Sequence, residues 1–151
     1  MSNKIYNSIP DVTLIGSILL AYFLDHVLPI TEIIPYPVSL IGWVVVAAGL
    51  GLAIYTLSLL KSNHTSSDPG GVPSMLITTG FYSLSRNPMY LAYVITTSGA
   101  TIIFGSIPAF IAPVICFSVI HVVIIPVEEK NLHKIFGQKY EHYQRSVHRW
   151  I

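Results

Sequence analysis

The sequence predicts an all-α integral membrane protein: four transmembrane helices, the last two forming a C-terminal helical hairpin, and a cytosolic interfacial helical cap. Three observations lead there. Of 151 residues, 52% are hydrophobic and only 10% are charged, against about 25% charged in soluble domains. The apolar runs are continuous and near the ~20 residues that cross ~30 Å of hydrocarbon, not alternating as in a β-barrel. All eight Lys and Arg fall on one face of a four-span arrangement. Three or five spans would divide them between two faces.

The spans are read at 12–30, 38–60, 88–104 and 107–127, with a loop over 61–87 and the cap over 128–151, all in one membrane domain covering 1–151. Lys4 precedes the first span. Lys61 and Arg86 lie between the second and third, and the other basic residues follow the fourth. Both termini are therefore expected in the cytosol, and a prokaryotic inner membrane is favoured over endoplasmic reticulum. The first run has no A-x-A-like cleavage site and is expected to stay as a span. Gly42, Gly49 and Gly51 in span two, and Thr96–Ala100 in span three, are small enough for close helix approach. Asp25 and His26 lie toward the outer end of span one, where long polar side chains reach the interface. Trp43 and Trp150 fall near opposite interfaces, as belt aromatics do. Pro113 and Pro126 should kink or end span four. The run Ser66–Gly71 reads as a turn.

In the cap, Leu132, Ile135, Phe136, Tyr140 and Tyr143 recur at helical spacing, so a half-apolar helix is expected along the interface, with Gly137 as a break point. Cys116 is the only cysteine, which excludes an internal disulfide framework. Net charge is +1, so nucleic acid is not an expected partner. No metal is expected either. Membrane lipids and a lipophilic molecule entering from the bilayer are expected partners, with the oligomeric state open.

Everything else is organised around Gly80–Tyr90, GFYSLSRNPMY. Proline suits the first turn of a helix, so Pro88 should open span three. Asn87 would sit just outside, where Asn caps well. Free N–H groups at such an end attract anions. Glu128 and Glu129 follow span four. Gly105-Ser106 make a short hairpin connection, so Arg86 and Tyr82 should neighbour these acids. Charges in partly dry surroundings need partners. Either an Arg86–Glu ion pair closes the hairpin or the charges hold a ligand. His121 is the only polar ionisable group in span four, either a satisfied packing residue or a base or orienter.

The strings GFYSLSRNPMYLAY, EEKNL and FGQKYEHYQRSV, preceded by HTSSDPGGVPSMLITTG, resemble the isoprenylcysteine carboxyl methyltransferase-like and phospholipid methyltransferase family of integral membrane enzymes. The resemblance covers the chain from His64 onward. It implies S-adenosylmethionine as methyl donor, held by helix ends and the cap. The implied cofactor residues begin in the loop at Ser74, Met75, Leu76 and Ile77, followed by Tyr82. They continue at Asn87, Pro88, Met89 and Tyr90, and end at Glu128. Glu128 suits the donor's ammonium, Arg86 or the helix N-terminus its carboxylate, and tyrosine faces its sulfonium. The catalytic candidates are Arg86, Glu129 and His121, the last two as bases for an acceptor that arrives protonated.

Several positions depart from the family pattern. Asn87 stands where many members have His, Ala92 where many have Gly, and His148 where Pro is usual. Members acting on isoprenylcysteine carry an arginine about one turn before the acid pair. That position here is Ile124. The expected function is therefore methyl transfer to a lipophilic small molecule or lipid at the membrane–cytosol interface. Two alternatives stay open: protein-S-isoprenylcysteine O-methylation, and a non-catalytic membrane scaffold.

Overall fold

The apolar runs become helices. In a computed structural model, residues 3–28, 32–66 and 71–151 are described, with side chains from residue 7 onward. The end of span one at residue 30 and most of the Ser66–Gly71 turn lie outside the described residues. The described residues contain α1 (Asn3–Val27), α2 (Ile41–Ser62), α3 (Pro88–Phe104), α4 (Ile111–Val119), α5 (Ile125–Phe136) and α6 (Gln138–Ser146). They contain no strand, only an isolated antiparallel bridge between Glu32 and Ser106. Three helical stretches are long and apolar enough to cross a membrane: Asn7–Val27, Val38–Ser62 and Pro108–Phe136. Pro88–Phe104 is apolar but shorter, 17 residues, or roughly 25 Å at about 1.5 Å per residue.

α2 packs chiefly on α3, and α1 packs on α3 and α4. The α2–α3 contact depends on glycine. A Cβ on Gly42 would come within 2.6 Å of the Gly99 carbonyl oxygen, and one on Gly99 within 2.6 Å of the Val46 nitrogen. Gly49 is likewise pressed against Thr96 and Ala92, whereas Gly51 has nothing within 4 Å. Backbones this close are what small residues permit between membrane helices. At the far end of α3, Gly105 adopts φ +77 and ends the helix in the left-handed conformation, where glycine bears no Cβ penalty. Its carbonyl accepts from Ile33 N–H at 2.8 Å.

Two boundaries differ from expectation. α1 starts at Asn3, well ahead of residue 12, and runs through Pro10. Ile9 packs against the buried cluster of Tyr90, Cys116, Ile120, Ile124 and Ile125, which holds this early part of the helix. Neither Pro113 nor Pro126 ends the fourth helix. It passes through a π-helical turn at Ile120–Ile124 and continues as α5 to Phe136. A widened turn just before Pro126 absorbs the hydrogen bond that proline cannot donate. The first half of the expected cap helix is thus continuous with the fourth helix. The break does come at Gly137, with φ +52.

Candidate functional site

The site is built at one end of α3. Pro88 takes the first helical position, and Asn87 is the residue before it. The expected cap is absent, however: Asn87 makes no side-chain cap hydrogen bond. Its Nδ2 instead donates to the Arg149 carbonyl at 2.9 Å, and its own N–H donates to Ser85 Oγ at 3.1 Å. The first turn of α3 therefore keeps N–H groups uncapped by Asn87. One turn in, the Tyr90 hydroxyl donates to Glu128 Oε1 at 2.5 Å. This bond ties α3 to α5.

Beside this contact lies a cavity of about 140 Å³. Met75, Leu76 and Ile77 of the loop line it, as do Tyr82, Arg86, Asn87, Met89, Tyr90 and Glu128. Ten of the residues singled out from sequence as cofactor residues are thus represented there by eight. Ser74 and Pro88 do not line it: Ser74 Oγ donates to the His64 carbonyl at 2.9 Å, and Pro88 is buried within α3. Sequence reasoning missed Leu60, Asn131, Leu132 and Tyr143, which also line the cavity. The Tyr143 hydroxyl donates to the Tyr82 carbonyl at 2.6 Å and fixes the loop against α6. Burial, and then the charge of Glu128, pushes the Tyr82 hydroxyl well above its ordinary pKa. Burial likewise pushes Tyr140 up to about 12, so both remain protonated donors at neutral pH.

The charges sort into two sets. Among the described residues, no cation lies within ion-pair distance of Glu128. Glu129 is crowded instead. Arg149 reaches it with a two-pronged contact, Nε to Oε1 at 3.1 Å and Nη2 to Oε2 at 2.6 Å. Arg86 Nη1 lies 3.1 Å from Oε1. That contact is an ion pair by distance without hydrogen-bond alignment, since Arg86 Nη1 and Nε, both buried, have no hydrogen-bond partner among the described residues. The cavity thus has a carboxylate, Glu128, and a guanidinium, Arg86, in the same lining; the two unpartnered Arg86 nitrogens are themselves closed to solvent. Ion pairing does occur at the hairpin, but through Glu129.

Two catalytic candidates, Glu129 and His121, lie outside the cavity lining. His121, in the π-helical turn, stacks on Phe117, and its Nδ1 accepts from Trp150 Nε1 at 3.1 Å. Trp150 is therefore no free belt residue; it packs on Phe117 and the core around Tyr90. The imidazole lone pair at Nδ1 is occupied, so a neutral ring bears its proton on Nε2. Ile124, at the position where isoprenylcysteine-acting members carry arginine, is fully buried in the same core.

A family model described as phospholipid methyltransferase matches residues 38–139. That stretch runs from the start of the second apolar helix into α6 and includes every cavity-lining residue up to Leu132. No curated protein and no solved structure matches the chain.

Proposed function

The chain belongs to the phospholipid methyltransferase family, and from this premise we propose that it transfers a methyl group from S-adenosylmethionine to a lipophilic or lipid acceptor at the membrane–cytosol interface. One observation carries the reading. A carboxylate without a cationic partner among the described residues and a guanidinium line one cavity with aromatic and apolar side chains. Opposite charges fit the ammonium and carboxylate of an amino acid, and Met75, Leu76 and Ile77 fit a nucleoside. When bound, S-adenosylmethionine supplies a methyl group activated on a sulfonium. Glu128 would hold the ammonium, and Arg86 with the start of α3 the carboxylate. Tyr82 and Tyr90 would face the cationic sulfur. The residues would work by alignment and exclusion of water. The cavity is smaller than the ~300 Å³ at the lower end of small-molecule sites.

For the acceptor, the reading rests on Ile124. An anionic acceptor buried near it would lack the arginine that isoprenylcysteine-acting members supply, and an unpaired buried carboxylate costs several kcal/mol. We therefore favour an uncharged or amine-bearing acceptor; Glu129 is already taken by Arg149 and Arg86, which leaves His121 as the candidate to assist an amine. The test is a calorimetric titration of purified protein with S-adenosylmethionine, then methyl transfer to a farnesylated cysteine, an aminophospholipid and a lipophilic phenol. Donor binding and slowest turnover of the farnesylated cysteine are expected. No donor binding leaves the scaffold reading; fastest turnover of the farnesylated cysteine reverses the acceptor assignment.

The same reading has four spans with both termini cytosolic, because one face then holds all eight basic residues. Cysteines introduced at Ser2 and Ile151 should resist an impermeant thiol reagent in intact cells. Labelling of either from outside excludes this topology.

A further inference from the structure

After α6, the segment from Val147 turns back under the start of α3. The Arg86 N–H donates to the His148 carbonyl at 3.0 Å. The Arg149 carbonyl accepts from Asn87 Nδ2 at 2.9 Å and from Ser85 Oγ at 3.4 Å. This strap thus grips the backbone and side chains that flank Arg86. Its own guanidinium takes both oxygens of Glu129. Arg86 and Arg149 therefore compete for one carboxylate, and Arg149 has the aligned, two-pronged share.

We propose that Arg149 is a positioning residue: by occupying Glu129 it keeps the Arg86 guanidinium available to an anionic group in the cavity, the carboxylate of the methyl donor. The inference rests on the donor reading above. A fork-to-carboxylate pair fixes geometry as well as charge. With two arginines on one glutamate, the trio retains a positive charge, and that charge lies on the cavity side at Arg86. Without Arg149, Glu129 would turn wholly to Arg86 and neutralise it. The positive end of the cavity would be lost, while Glu128 at the other end stayed unchanged.

This mechanism separates from simple strap packing by second-site rescue. Arg149→Met should weaken S-adenosylmethionine binding by about tenfold or more. The double variant Arg149→Met with Glu129→Gln should regain most of it, because a neutral amide no longer claims Arg86. A donor analogue lacking the carboxylate should bind wild type and both variants alike. A double variant as weak as Arg149→Met, or an analogue weakened as much as the donor, overturns the proposal and leaves the strap a packing element. If Arg149→Met does not fold, Glu129→Gln alone decides: donor binding as tight as wild type or tighter supports the proposal, and a tenfold loss overturns it. Wild-type protein that binds no donor overturns the donor reading and this inference with it; wild-type binding with an unaffected Arg149→Met overturns this inference alone.

Discussion

Glu128→Gln is expected to weaken S-adenosylmethionine binding by about 30- to 1000-fold, or roughly 2–4 kcal/mol. The substitution keeps the shape of the side chain and leaves a carbonyl oxygen to accept from the Tyr90 hydroxyl, which now lies 2.5 Å from Oε1. The link between α3 and α5 should therefore survive. What disappears is the negative charge, and with it the charge-assisted bond to an ammonium. Such bonds are about twice as strong as neutral ones. The measurement is calorimetric titration of detergent-purified protein, with thermal unfolding to verify that the variant is folded. Affinity within threefold of wild type would mean that Glu128 serves only to hold Tyr90. Glu129→Gln is a useful contrast, because Glu129 already has two cationic neighbours within the protein.

Local chemistry explains why some of this site was legible in the sequence. Pro88 opens α3 because proline has no N–H to lose there, and a short glycine-containing connection brings the acids after the fourth helix back to Arg86. Neither inference needs information from distant residues. The division of labour between the two acids was not legible. Glu128 and Glu129 are adjacent and chemically identical, and only helical phase decides which one meets Tyr90. The π-helical turn just upstream changes that phase, and nothing in IHVVI announces it beyond the proline that follows. The role of Asn87 was misread for a related reason. Its composition suits a cap, but a carbonyl 62 positions away in the chain claims its amide. Trp150 and Arg149 were hidden in the same way: a terminal tryptophan reads as an interfacial anchor until His121 and Phe117 are seen to surround it. Contacts made by an irregular strap have no periodicity from which to derive them.

Gly99→Leu is expected to destabilise the protein by about 3 kcal/mol, lowering Tm by about 10 °C, whereas Gly51→Leu on the neighbouring helix should be neutral or slightly stabilising. At Gly99 a Cβ alone would meet the Val46 nitrogen at 2.6 Å and the Gly42 carbonyl oxygen at 2.9 Å. Both are backbone atoms, which cannot swing aside as a side-chain tip would. α2 and α3 would have to separate, breaking the largest helix contact in the fold. Gly51 has nothing within 4 Å of its Cβ position, so leucine there meets open space and gains helix propensity of up to about 1 kcal/mol. Equal unfolding temperatures for the two variants would show that the close approach of α2 and α3 is not what stabilises the fold. The damage at Gly99 should also reach the site. α3 carries Met89 and Tyr90 at its other end, so a helix displaced at Gly99 moves the Tyr90 hydroxyl relative to Glu128. Donor affinity in Gly99→Leu should therefore fall even at temperatures where the protein remains folded, and stay at the wild-type level in Gly51→Leu.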